Sequence, residues 1–264
     1  MNPIPDFSGL RFLFTDVDDT LTTDGQLLPE TYQALWDLSA AGIAIIPVTG
    51  GCAGWCDQIL RTWPVAAVIG EGGAFYAGRR GGHKTHWHYW RSRAEHAGDQ
   101  AEILRAVEQL TLPFEIRLAG DQSFRHVDVA IDYNQEARLD PGQTAIVKEA
   151  LERAGFSVKQ SSIHINVWQG EFDKCAMARR FLCQEHQLSE ADMQRQAFFV
   201  GDAPNDESMF AFFPRNAAVA NIAPHLPQMQ AHPTAITEQK SGLGFIELAR
   251  HWLQQTTQRT VAER

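Results

Sequence analysis

The chain has 264 residues, 44% of them hydrophobic, with 23 Lys and Arg against 32 Asp and Glu and a net charge of −9. That length accommodates one large or two modest domains, and the acidic balance excludes a general nucleic-acid binder, which needs a basic face. No apolar run approaches the ~20 residues that span a membrane, and residues 1–6 carry neither a basic start nor an apolar signal core, which points to the cytoplasm.

Residues 10–14 form a short apolar run without helical period, the pattern of a buried parallel strand. It ends in Asp16, Asp18 and Asp19, three carboxylates within four residues. Like charges this close repel and are poorly hydrated at the end of a buried strand. A cation among them resolves the conflict, and an oxygen-only ligand set favours Mg²⁺ or Ca²⁺ over zinc. The next helix is expected over 29–41, with Pro29 at its start and Gly42 as its stop. A second buried strand over 43–48 runs into Thr49-Gly50-Gly51. A helix over 53–63 and a strand over 65–69 follow. Strand and helix in alternation predict an α/β fold with a doubly wound, Rossmann-like parallel sheet.

The pattern changes after the Gly- and Arg-rich break at 78–82. Residues 86–90, 125–132 and 162–168 alternate in polarity, as strands of an antiparallel sheet with one wet face do. Helices are expected over 94–110 and 142–154 between them. This reads as an α+β unit inserted over 83–169, with 1–82 and 170–264 forming the core. After Gly170 the α/β pattern resumes: a helix over 173–186, a buried strand over 197–200, the loop Gly201-Asp-Ala-Pro-Asn-Asp206, a short strand over 217–220, and a final helix over 244–254 with the last ten residues frayed. Cys52, Cys56, Cys175 and Cys183 have neither zinc-ribbon nor CxxC spacing. They read as small buried or half-buried thiols in a reducing compartment.

Three loops thus fall at the carboxyl ends of strands in one sheet, where open α/β folds bind ligands. They carry Asp16 and Asp18; Thr49, Gly50 and Gly51; and Asp202, Asn205 and Asp206. Lys174 opens the helix that re-enters the sheet. The combination suits phosphoryl transfer. A carboxylate attacks phosphorus, a metal neutralises the phosphate oxygens, a hydroxyl with glycine N–H groups holds the others, and a lysine adds positive charge.

In this order, Asp16-Val-Asp-Asp-Thr-Leu21, Thr49, Lys174 and Gly201-Asp-Ala-Pro-Asn-Asp206 resemble the four motifs of the haloacid dehalogenase superfamily. The long insertion is similar to the large α/β cap of its type IIB hydrolases, among them sucrose-, trehalose- and mannosyl-3-phosphoglycerate phosphatases and phosphomannomutases. The resemblance implies that Asp16 is the nucleophile and a metal ligand, and that Asp18 is the general acid and base with its backbone carbonyl on Mg²⁺. It further implies that Thr49 binds phosphate, that Lys174 steadies Asp16, that Asp202 binds the metal, and that Asp206 and Asn205 complete its shell. Two positions depart from the pattern: Gly51 stands where phosphatases of this type commonly have Arg, and Cys175 where Gly follows the lysine.

The resemblance assigns substrate choice to the cap. Arg117, Arg125, His126, His164, Asn166 and Trp168 are the candidates, with Arg125, His164 and Asn166 placed beside Thr49, Gly50 and Gly51 as substrate-binding residues. His164, Asn166 and Trp168 share one strand face, and Trp168 is positioned to stack on a sugar. An ordinary solvated sheet face accounts for the same alternation. His86 and His88 also share a face, which a wet sheet surface or a hinge explains more simply than a second metal. The expected function is a Mg²⁺-dependent phosphatase of a small phosphorylated metabolite, foremost a sugar phosphate. The alternatives are a phosphohexomutase and a non-catalytic sensor. No nucleic-acid or membrane partner is expected of the chain, as monomer or homodimer.

Overall fold

The structure is a computed structural model that describes residues 5–80 and 84–262. In chain order the first half contains β1 (Phe12–Thr15), β2 (Thr22–Thr23), β3 (Gln26–Leu27), α1 (Pro29–Ala40), β4 (Ala44–Pro47), α2 (Ala53–Thr62), β5 (Ala67–Gly70), β6 (Phe75–Arg80), β7 (Lys84–Tyr89) and α3 (Arg93–Gln109). There follow β8 (Arg117–Leu118), β9 (Val129–Asp132), α4 (Pro141–Arg153), β10 (Ser157–Gln160), β11 (His164–Trp168), α5 (Lys174–His186), α6 (Glu190–Gln196), β12 (Ala197–Gly201), α7 (Glu207–Phe212), β13 (Asn216–Ala218) and α8 (Ser241–Ala262).

The central sheet is parallel, in the order β13-β12-β1-β4. A parallel bridge between Val48 and Ile69 joins it to β5, which opens an antiparallel sheet β5-β6-β7. Side-chain alternation divides the core into two layers. Leu13, Ile45 and Val200 turn towards α1, α2 and α8, where they meet Leu35, Leu60 and Trp252. Phe12, Phe14 and Phe199 turn to the opposite face and meet Met177, Phe181 and Phe210. Both faces are therefore covered, and the strands read as continuous apolar runs.

A second, antiparallel sheet has the order β10-β11-β9-β8. One face packs Val129, Ile131, Ile165 and Val167 against Ile103 of α3 and Val147 and Leu151 of α4. The other face carries His164 and Asn166, and both are buried. The wet face expected from the alternation is instead covered by the loop after β4, whose Gly50 carbonyl accepts from Asn166 Nδ2 at 3.4 Å.

Three further expectations change. The 86–90 run does not join the second sheet; β7 pairs antiparallel along its length with β6, from Phe75 opposite Tyr89 to Arg80 opposite Lys84. The boundary read at 82 and 83 lies outside the described residues. The 125–132 run is a strand only from Val129, since the N–H groups of His126, Val127 and Asp128 point to a carboxylate rather than to a neighbouring strand. The last helix does not fray after 254. Gln255 pins it to the N-terminal segment, accepting from the Phe7 N–H at 3.1 Å and donating to the Pro5 carbonyl at 3.0 Å, and it runs to Ala262. Among the described residues no helix is long and apolar enough to cross a membrane.

Candidate active site

Asp16 follows β1 directly, and its N–H still bonds to the Val200 carbonyl of β12. The loop after β12 brings Asp202 and Asp206 beside it. Gly201 makes this possible, because a Cβ there would lie 2.3 Å from Asp206 Oδ2. Asp206 is fixed from two sides: its Oδ2 accepts from the Asp202 and Ala203 N–H groups at 3.0 and 3.3 Å. The third member arrives from α5. Asp173 caps that helix by accepting from the Ala176 N–H at 2.8 Å, which sets Lys174 in its first turn. Lys174 Nζ then donates to Asp16 Oδ1 at 2.6 Å and to Asp206 Oδ1 at 2.7 Å, with all three side chains buried.

One ammonium does not balance this set. Burial raises Asp16 to about 7; Lys174 opposes the rise and Asp206 and Asp18 reinforce it. Burial, with Asp16 and Asp206 adding to it, lifts Asp202 well above the carboxylate range. Asp18 is raised by burial and by Asp19, against the pull of Lys174 and a hydrogen bond from Thr49. Burial works against the Lys174 ammonium, but Asp16 and Asp206 outweigh it and hold it above the ordinary lysine range. Oxygens of Asp16, Asp202 and Asp206 all lie within 4.8 Å of one another. Asn205, the residue before Asp206 and part of the same cleft lining as Lys174, has its Oδ1 buried with no hydrogen-bond partner among the described residues. Three carboxylates and a spare amide oxygen form a hard, all-oxygen donor set, which fits a divalent cation of the Mg²⁺ type. Asp202 is held ready for it by Thr20, which donates to Oδ1 at 3.1 Å, and by Asn221 Nδ2, which donates to Oδ2 at 2.8 Å. The carboxylate of Asp18 stands outside this triad.

Thr49 lies at the end of the neighbouring strand. Its Oγ1 accepts from the Gly51 N–H at 2.8 Å, and its hydroxyl is near enough to Asp18 to pull that carboxyl down against burial. Gly50, Asn166, Trp168, Lys174 and Asn205 line a cleft of about 290 Å³ between the two sheets, with Lys159 at its wall. That volume suits a small metabolite.

No family model matches the chain, and no curated protein matches it. Solved structures do. The sucrose-phosphatase of Synechocystis, solved with sucrose and phosphate, superposes with a TM-score of 0.65 at 17% identity, covering 92% of this chain and 97% of that one. A HAD/COF-like hydrolase of Plasmodium vivax gives 0.68 at 17% identity, over 92% and 95% of the two chains. The C-terminal domain of C. albicans trehalose-6-phosphate phosphatase gives 0.67 at 15% identity, over 93% of each. This is the haloacid dehalogenase fold. In that fold the four sequence motifs converge on one point, with Asp16, Lys174, Asp202 and Asp206 as its buried polar centre.

The cap residues of the haloacid dehalogenase fold are placed less simply. Arg125 is not free to meet a ligand. Its guanidinium donates to Asp121 at 3.0 and 3.1 Å, to Asp128 at 2.9 and 3.1 Å, and to the Gly50 carbonyl at 3.0 Å, and its side chain is 0% exposed. His164 is held between Arg125 and Gln135, and burial and the Arg125 charge lower its pKa. Asn166 donates to Asp128 at 2.8 Å and lines the cleft. Trp168 is 3% exposed and stacks on Phe172 with ring centroids 5.5 Å apart, so only its edge reaches the cleft. Arg117 is exposed on β8, away from the cleft lining. His126 packs among Phe75, Trp87 and Tyr89. The thiols are free; Cys183 is exposed rather than half-buried, on the outer side of α5.

Four residues had no sequence signal. Glu71, fully buried, accepts four backbone N–H groups: Ala53 at the start of α2, then His126, Val127 and Asp128, at 2.6 to 3.1 Å. It thereby ties the inserted unit to the loop that carries Thr49. Its own backbone sits at φ 47°, which costs a side-chain-bearing residue roughly 1–2 kcal/mol. Burial and the nearby Asp128 raise its pKa to about 8 against the pull of Arg125 and the N–H groups. Asp128 receives Arg125 and Asn166; Asn221 holds Asp202; Lys159 pairs across the sheet with Asn166. Asp128 and Lys159 lay on alternating runs, 125–132 and Phe156 to Gln160, but alternation alone did not single either of them out.

Proposed function

We propose that the protein is a Mg²⁺-dependent phosphatase acting on a small phosphorylated metabolite, most readily a sugar phosphate, through an aspartyl-phosphate. The observation that carries the reading is the bridge of Lys174 between Asp16 and Asp206 beside an unbalanced carboxylate triad. Asp16 is placed as nucleophile: an oxygen of its carboxylate forms a bond to phosphorus as the ester P–O bond breaks. Lys174 orients that carboxylate and offsets charge on the phosphoryl group. Asp18, pushed up by burial and held by Thr49, is protonated for the first step and gives its proton to the leaving oxygen. It then accepts a proton from the water that attacks phosphorus and releases Asp16. Asp16, Asp202, Asp206, Asn205 and the Asp18 carbonyl would hold the metal. When bound, the ion supplies charge neutralisation that lets an anionic ester approach a carboxylate. Thr49 and the N–H groups of Gly50 and Gly51 would hold the phosphoryl oxygens.

We further propose that, within the inserted 83–169, the unit built from α3, α4 and the sheet β10-β11-β9-β8 acts as the cap, while β7 stays with the core sheet, with Lys159 and Asn166 facing the leaving group. Free thiols, one of them exposed, support placement in a reducing, cytoplasmic compartment. A screen of phosphorylated sugars, glycerate derivatives and cofactors with Mg²⁺, ranked by kcat/KM, tests the assignment. Phosphate release lost in Asp16→Asn supports it. Interconversion of hexose 1- and 6-phosphates without free phosphate would replace it with a mutase. Mg²⁺ binding with no turnover of any ester would leave only a binding protein.

A further inference from the structure

The structure assigns a second metal site, for a transition metal such as Zn²⁺, to His86 and His88 of β7 and Glu185 of α5. The two histidines are two residues apart on one strand, so both imidazoles project from the same face. His86 Nε2 lies 3.5 Å from Glu185 Oε1, and His88 Nε2 lies 3.7 Å from the same oxygen. The three ligand atoms all fall within 4.8 Å of one another.

These distances are too long for well-formed hydrogen bonds, which close to about 2.7–3.2 Å. They are close to the edge of a tetrahedron around zinc, about 3.3 Å for metal–ligand bonds of about 2.0–2.1 Å. Two imidazole nitrogens and a carboxylate oxygen also select differently from the catalytic triad: a borderline-soft metal rather than Mg²⁺. The side chains are 19%, 40% and 28% exposed, so an ion from solvent reaches them.

The surroundings hold the ligands in place. His86 stands opposite Gly78 on β6, and a Cβ at Gly78 would lie 2.8 Å from the imidazole ring. The glycine lets the ring lie across the strand towards α5. Tyr76 stacks on His88 with centroids 4.6 Å apart and planes 10° apart, and its hydroxyl donates to Glu185 Oε1 at 2.8 Å. Such an outer hydrogen bond fixes a ligating carboxylate. The site is separate from the catalytic centre. Lys174 and Glu185 lie near opposite ends of α5, roughly 16 Å apart along its axis. A metal there would clip the β6–β7 hairpin to α5, behind the helix that presents Lys174.

The test is equilibrium dialysis of the full-length, metal-stripped protein against Zn²⁺ in saturating Mg²⁺, which fills the carboxylate triad, with melting temperature and the visible spectrum of the Co²⁺ form as further readouts. One Zn²⁺ per chain with a raised melting temperature is expected. Tyr76→Phe weakens binding about 10-fold. His88→Ala and Glu185→Gln, each on a partly exposed position, abolish saturable binding and the Co²⁺ d–d bands while leaving Mg²⁺-dependent turnover unchanged. No saturable Zn²⁺, or equal binding by His88→Ala and Glu185→Gln, would overturn the assignment. Neither outcome depends on the phosphatase reading, because the readouts are binding, melting and spectrum.

Discussion

Arg125 separates two views of the inserted unit. Read as a substrate-binding cation, its loss raises KM for a large anionic substrate and leaves stability intact. Its contacts argue for a clamp. The guanidinium is fully buried and serves Asp121, Asp128 and the Gly50 carbonyl together. In Arg125→Met, Asp128 keeps only the donation from Asn166 and remains 0% exposed. Removing one partner of such a buried pair costs about 3–5 kcal/mol. With a urea slope of about 2 kcal/mol/M, the unfolding midpoint falls by about 2 M. Arg125→Lys keeps the charge, but an ammonium lacks the planar fork that reaches three acceptors, so it recovers roughly half of the loss. Urea unfolding in Mg²⁺, paired with kcat and KM for p-nitrophenyl phosphate and for sugar phosphates, distinguishes the views. The clamp lowers stability and affects all substrates alike, because the Gly50 loop loosens. A variant that unfolds at the wild-type urea concentration and loses affinity only for the larger substrate would refute it.

Other consequences follow from the same contacts. Lys174→Met leaves Asp16 and Asp206 without their cation and lowers metal-free stability at pH 7.5 by about 3–5 kcal/mol; denaturant titration shows this, and Mg²⁺ restores part of it. Because burial raises Asp16 to about 7 and lifts Asp202 well above the ordinary carboxylate range, the metal-free triad holds a proton near neutral pH. Mg²⁺ affinity therefore rises from pH 6 to 8 and binding releases protons, which calorimetry in buffers of different ionisation enthalpy measures. Burial, with the charge of Arg93, lowers His126 to about 4 from its ordinary 6.5. The unfolded chain takes up that proton first as pH falls, so stability drops between pH 6.5 and 4. A full shift is worth about 3 kcal/mol, reduced to roughly 1–2 by partial exposure. His126→Asn, which keeps an acceptor for the Tyr89 hydroxyl, flattens thermal stability across that window.

The core was legible because its signals are local. An apolar strand that ends in Asp16, Asp18 and Asp19 carries both its burial and its chemistry in one short segment. The same holds for the strand before Asp202 and for the helix that Asp173 caps. The inserted unit was legible only as a pattern. His86 to Trp90 reads as a strand from its alternation, but nothing in it names β6 as its partner. The 125–128 segment looked like strand because its role depends on Glu71, more than fifty residues earlier, whose buried carboxylate draws three consecutive N–H groups out of the ladder. Arg125 looked like a substrate cation because Asp121 and Asp128 sit close in sequence without any period to show that they converge on it. Polar residues on a strand read as wet until the loop that covers them is known, and Gly50 could not announce that it covers Asn166.

The most direct test of the proposed chemistry is acid-quenched mass spectrometry of the enzyme during turnover with Mg²⁺. One phosphoryl group on the peptide containing Asp16, absent in Asp16→Asn together with all phosphate release, is the expected result. Phosphate release that persists in Asp16→Asn, or label found on another residue, would contradict it.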